Sequence, residues 1–324
     1  MLYVRLFGTL DIRCGDDEFG GCTSRKSREL FVYLLLHRDR PHAREKLASL
    51  LWDDHYSTVQ SRKYLRNALW QLRSTLSDRP ELAESRLLHV EPDWIQLNSV
   101  STLQMDVETF EAAYAAVEGI SGERLAKPEA GELGRALDLY QNDLLESWYQ
   151  EWCLCERERL LQMYLIMLDK MMAYCEAHRQ FEKGLRYGRE VLRRYRARES
   201  THRRMMRLYY LGGDRSSALR QYEQCVTVLR DELDVEPSQR TTSLYELLRT
   251  DELEASSAAR KEQTGREEQA VMEEALRTLR TCQTNLKEIQ HRLERTTETV
   301  ETLIRRRRSA SRRNGPTRDQ KSEE

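Results

Sequence analysis

A chain of 324 residues is longer than one ordinary domain, and 33% charged with 39% hydrophobic residues describes a helix-rich protein with extended polar surface. Its formal net charge of -1 argues nothing about nucleic acid, because basic residues gather at 62–73 and 305–313 while acids are scattered through the middle. Cys153 and Cys155 have no second close pair, the seven histidines show no metal spacing, and no run of about eighteen apolar residues occurs, so neither a zinc site nor a membrane span is expected.

At the amino terminus Arg5 interrupts the apolar run, so residues 2–14 read as short strands broken at Gly8 and Gly15 rather than as a signal sequence, and the cytoplasm is the expected compartment. Ser24 and Ser27 open a helix whose inner face is Leu30, Tyr33, Leu34 and His37. A polar turn, Arg38, Asp39 and Arg40, then leads through Pro41 into a second helix with Leu47, Leu50, Leu51 and Trp52 buried. A third helix follows Ser57, spans about 59–76, and carries Leu65, Leu69, Leu72 and Leu76 at helical spacing. Beyond Pro80 the period changes, and Leu87, Leu88 and Val90 face Ile95 and Leu97 across Pro92 and Asp93 as a hairpin. Strands, three helices and a hairpin, in that order, lay out a winged helix; a miscellaneous small α+β domain is the alternative.

From Val107 onward the pattern is nearly all helical. Tyr174, Phe181, Gly184 and Leu185 recur 34 residues later as Leu208, Arg215, Ala218 and Leu219, the tetratricopeptide period, in which small residues let paired helices approach. Ala136, Leu137 and Tyr140 hint at an earlier pair, Arg204 and His202 at a repeat helix start, and residues 244–248 at a capping helix after Pro237. Trp148, Tyr149 and Trp152 form an aromatic cluster, read either as packing between the winged helix and the repeats or as an anchor for a partner.

The chain therefore reads as mainly α: a winged helix (1–100), tetratricopeptide-like repeats (104–250), a linker (251–265), a coiled-coil helix (266–304) and a basic, then polar tail (305–324). The heptad seam runs through Met272, Ala275, Leu279, Cys282, Leu286, Ile289, Leu293, Thr296, Val300 and Leu303, and such a narrow apolar stripe needs a partner helix, either its own copy or another. Its expected contact residues are Leu279, Cys282, Leu286, Ile289, Leu293, Val300 and Leu303. Arginines 305–308 are open to three readings: phosphate contact, an acidic protein or membrane surface, or a favourable helix end.

Two signatures carry a family resemblance. Residues 25–53 with YLRNALWQLR at 64–73 resemble the OmpR-like winged helix of bacterial antibiotic-pathway regulatory protein (SARP) type activators. MDVETF at 105–110, with 202–209, Gly213-Asp214, Ala218-Leu219, Tyr222-Glu223 and ELDVEP at 232–237, is similar to their bacterial transcriptional activator domain. The resemblance implies an activator that binds promoter direct repeats as side-by-side protomers and helps recruit RNA polymerase. The wing departs from the family pattern, with Glu91-Pro92-Asp93-Trp94 in place of the usual glycine and tyrosine turn, and no glycine-rich P-loop is present.

With the four leucines inward, the 100° advance per residue turns Lys63, Asn67, Trp70 and Ser74 outward, with Arg66 and Arg73 on one flank and Gln60 and Gln71 on the other. Asn67 and the glutamines suit adenine, Arg66 and Lys63 suit guanine or phosphate, and Trp70 either stacks on sugar or thymine methyl or covers part of the wing. Arg25 and Arg28 are further phosphate candidates at the amino end of the first helix, with Arg5 and Lys26 weaker ones. No cofactor, metal or catalytic residue is expected. The competing non-enzymatic reading is a repeat-based adaptor that acts through protein contacts, with little or no specific DNA binding.

Overall fold

Alternation at the amino terminus puts Leu2, Val4, Ile12 and Cys14 on one buried face, and strands β1 (Leu2–Arg5) and β2 (Asp11–Cys14) pair antiparallel, Leu2 opposite Cys14. β3 (Asp17–Glu18) extends the sheet from β2. These elements come from a computed structural model that describes residues 1–15, 17–18, 24–52, 56–78, 87–98 and 103–251, with Met272 and Arg277.

Helix α1 (Arg25–Leu36) starts where Ser24 accepts a hydrogen bond from the Ser27 amide. Its buried surface is wider than the expected stripe, taking in Phe31, Val32 and Leu35 as well as Leu30 and Leu34, while Tyr33 and His37 are half-buried. Between α1 and α2 (Arg44–Trp52) the polar turn is followed by a short strand missed in the sequence, β4 (His42–Ala43). Leu47, Leu51 and Trp52 are buried as expected, but Leu50 is not: it is 44% exposed. α3 (Thr58–Ser77) begins with a capping box between Ser57 and Gln60 and buries Leu65, Leu69, Leu72 and Leu76. β5 (Leu88–Val90) and β6 (Trp94–Leu97) make the hairpin, and β6 also pairs with β4, giving a three-stranded wing ordered β4-β6-β5. Helices and wing together are a winged helix.

A second strand missed in the sequence, β7 (Leu103–Met105), runs parallel to β1 and completes the order β3-β2-β1-β7. The expected start of the second domain at residue 104 thus falls within a strand that pairs with β1 of the first. Beyond it come α4 (Asp106–Ala116), a 3-10 turn (Gly122–Arg124), α5 (Lys127–Leu139), α6 (Glu151–Ala177), α7 (Phe181–Arg194), α8 (Glu199–Leu211), α9 (Arg215–Leu233) and α10 (Gln239–Thr250).

Winged helix and repeats are joined by more than β7. The Asp106 carboxylate accepts from the amides of Leu6 (2.8 Å), Phe7 (2.9 Å) and Val107 (2.7 Å), and Gly8 donates to Asp143 O while Leu145 donates to Leu6 O, both at 2.9 Å. Phe7 packs its ring on Phe110 and Tyr140. Arg157 pins the returning loop by donating to the carbonyls of Leu144, Leu145 and Trp148. Trp152 is buried edge-on against Tyr33 of α1 and Trp148, so those two tryptophans take the packing role, whereas Tyr149 is 76% exposed.

The 34-residue period holds in the backbone itself. α6 ends at Ala177 and α8 at Leu211, α7 starts at Phe181 and α9 at Arg215, and Arg179 and Gly213 take the same left-handed turn at φ +56° and +86°. Gly184 shows why a small residue is needed at its position: a methyl there would lie 3.0 Å from Leu208 Cδ1 and 3.1 Å from Cys175 Cβ. A tighter approach occurs at Gly122, where a methyl would overlap the Lys170 carbonyl oxygen and the Ala173 side chain. Backbone cannot swing aside, so Gly122→Ala should cost about 3 kcal/mol in urea unfolding. Gly188→Ala, whose new methyl meets only flexible Met205 and Met172 side chains, should cost about 1 kcal/mol.

His202, expected at a repeat helix start, lies in α8 and is buried. Its neutral ring is matched on both sides, donating from Nε2 to Arg196 O (2.8 Å) and accepting at Nδ1 from Gln221 Nε2 (2.7 Å). Burial holds its pKa below the ordinary 6.5, so the unfolded chain binds the proton first. The stability His202 contributes is therefore whole above pH 6.5 and is lost as pH falls toward the lower folded value. Melting temperature should drop with acidification below that point, and less steeply in His202→Asn; equal slopes in the two proteins would contradict this.

All these elements except the end of α10 belong to one unit, Met1–Leu248; a second unit runs from Arg249 to Glu324. There Met272 and Arg277 are helical, and the remaining seam positions, Ala275, Leu279, Cys282, Leu286, Ile289, Leu293, Thr296, Val300 and Leu303, with arginines 305–308, lie outside the described residues. Among the described residues no helix is long and apolar enough to cross a membrane.

Candidate nucleic-acid interface

α3 has no aspartate or glutamate in its twenty residues and carries Arg62, Lys63, Arg66 and Arg73. Burying the leucine ladder with Ala68 forces the polar positions into one exposed stripe, Lys63, Arg66, Asn67, Trp70, Arg73 and Ser74. Trp70 is 72% exposed, so most of its ring is open to solvent rather than packed against neighbours. Arg62 is held by Glu45 of α2, whereas Lys63, Arg66 and Arg73 make no ion pair among the described residues. A helix of this kind presents amide and guanidinium donors, an aromatic face and unneutralised positive charge together, as an element inserted into a DNA groove requires.

The remaining predicted residues divide. Gln60 is exposed at the first turn, with its side chain engaged in the capping box through Ser57 N. Gln71 is corrected: it is half-buried, and its Oε1 accepts from Ser27 Oγ at 2.6 Å, so it locks α1 to α3 instead of facing outward. Arg25 and Arg28 are exposed on the first turn of α1, the turn that Ser27 holds against α3. Of the weaker candidates, Arg5 pairs with Asp11, and Lys26 is taken up by Glu29 and the Leu51 carbonyl. The wing tip is acidic, and Glu91 binds His89 at 3.0 Å beside Asp93. An acidic turn of this kind is poorly suited to phosphate, whereas the exposed cations of α3 suit it.

Elsewhere the chemistry is quiet. Burial pushes the thiols of Cys153, Cys175 and Cys225 up to about 11, which keeps them protonated and unreactive at neutral pH. Among the described residues no cluster of histidine, cysteine or acidic side chains is arranged to hold a metal ion.

A winged helix with an exposed cationic third helix, joined to stacked helical hairpins, sets a surface suited to nucleic acid beside one suited to protein contacts. Residues 105–249 match the family model of the bacterial transcriptional activator domain, so the chain carries that domain, and the match supports a DNA-binding transcriptional regulator in general. The fold resembles Mycobacterium tuberculosis EmbR, solved in complex with a low-affinity phosphopeptide, at 20% identity and a TM-score of 0.60 over 82% of this chain and 69% of that one. The SARP-type resemblance read from the sequence is borne out. No curated protein matches the chain.

Proposed function

We propose that this chain is a sequence-specific transcriptional activator of the cytoplasm that reads promoter DNA with the outer stripe of α3. In this reading Asn67 and Arg66 or Lys63 meet base edges, Trp70 stacks on sugar or a thymine methyl, and Arg73, Ser74, Gln60, Arg25 and Arg28 hold the phosphate rim. The observation that carries it is the acid-free α3, whose Lys63, Arg66 and Arg73 are exposed around Asn67 and Trp70 and make no ion pair among the described residues. Protomers lie side by side on direct repeats, the repeat region of 104–250 helps recruit RNA polymerase, and the 266–304 seam supplies a helical contact.

Footprinting on a bound promoter, followed by transcription with purified polymerase, tests the arrangement. Two protected half-sites in the same orientation, about 10–10.5 base pairs or a multiple apart, and polymerase occupancy that rises with the protein are the expected result. Inverted half-sites, or DNA binding that leaves polymerase occupancy unchanged, would contradict it.

A further inference from the structure

We infer that Val59 packs on a thymine methyl group in bound DNA and is a specificity-determining residue of the outer stripe, which rests on the DNA-binding role proposed for α3. Val59 is 77% exposed, the most exposed large apolar side chain among the described residues. One exposed valine is ordinary on any surface, but nothing in the local structure asks for this one. The helix start is served by the capping box of Ser57 and Gln60, a β-branched residue is a poorer helix former than alanine, and Val59 lies outside the buried face.

Its place on the helix is specific. At about 100° per residue, Lys63, Arg66, Trp70 and Arg73 all point within about 40° of Val59, with Ser74 and Asn67 a little further round. Val59 and Trp70 therefore both lie along the middle of the stripe, about three turns and about 16 Å apart. Lys63, Asn67 and Ser74 stand on one side of that line and Arg66 and Arg73 on the other. The midline of a surface that is otherwise polar and cationic is apolar.

Of the groups that base edges present in the major groove, the thymine C5 methyl is the apolar one, and it stands beside acceptors: O4 of the same base and N7 of the paired adenine. An apolar side chain one turn from Lys63 matches that combination, the valine covering the methyl while the ammonium meets an acceptor on a neighbouring base or phosphate. The surrounding charge favours the same occupant, because Lys63, Arg66 and Arg73 make no ion pair among the described residues and flank Val59 as the phosphate rims flank a groove.

Fluorescence anisotropy of the full chain on the motif enriched from a random double-stranded pool tests this, with each thymine replaced in turn by deoxyuridine, which removes the methyl and leaves the pairing edge intact. At one thymine the replacement should weaken binding by the wild-type chain about fourfold, the effect of one buried methyl contact, and binding by Val59→Ala less than about twofold. Every other thymine should affect the two proteins alike, and their melting temperatures should agree, since Val59 is outside the core. Equal losses in both proteins at every thymine, a motif made of G·C pairs alone, or Val59→Ala weakening random and enriched duplexes by the same factor would overturn the assignment. The Lys63, Arg66 and Asn67 triple alanine variant separates the two claims. If it loses the enriched motif while Val59 shows no coupling to a methyl, only the valine contact falls; if it binds the motif undiminished, α3 does not select the sequence and both fall.

Discussion

Replacing Lys63, Arg66 and Asn67 together with alanine is expected to weaken binding to a cognate site by roughly a hundredfold or more, since each good base contact contributes about 1–3 kcal/mol of discrimination. All three lie on the exposed side of α3, and none supports the leucine ladder, so melting temperature should hold while affinity falls. The two lost cations should also flatten the dependence of log affinity on log salt by about two. Fluorescence anisotropy across a salt series reads both effects. Arg135→Ala, an exposed arginine on α5 away from this helix, serves as the control that should change neither. Undiminished specific binding in the triple variant would remove the α3 assignment.

The largest stability effect is expected at Asp106. Its carboxylate serves the amides of Leu6 and Phe7, residues that are 0% and 3% exposed, and these lie a hundred positions away at the end of β1. Asp106→Ala leaves both N–H groups buried without a partner, a loss of about 3–5 kcal/mol when the two desolvation costs combine. Asp106→Asn, which keeps one acceptor oxygen, should lose less. Urea unfolding gives the magnitude, and hydrogen exchange at the Leu6 and Phe7 amides locates it. A loss below about 1 kcal/mol would mean that β7 and the Phe7 packing hold the junction without the carboxylate.

Features visible in the sequence were those with a local period or cap. Ser24 and Ser57 mark helix starts, the leucines of α3 mark its buried side, and the 34-residue spacing survives down to the left-handed turns at Arg179 and Gly213. What stayed hidden was set by distant partners. β4 and β7 have two and three residues, too few to show alternation, and exist because β6 and β1 offer free edges. Gln71 lies at a flank angle on an ideal helix; only the Ser27 hydroxyl arriving from α1 turns it inward. Leu50 has an apolar side chain at a stripe position, and nothing local signals that it stays 44% exposed. Asp106 belonged to a recognised motif, yet its role as an acceptor for β1 depends on a parallel strand pairing that spacing cannot express.

That α3 reads DNA sequence is the central claim, and selection of bound sequences from a random double-stranded pool tests it most directly. Run with the full chain at physiological salt, selection should converge on one short motif that recurs in the same orientation, and the Lys63, Arg66 and Asn67 triple variant should fail to enrich it. A pool that stays random after repeated rounds, or an identical motif enriched by the variant, would contradict the account.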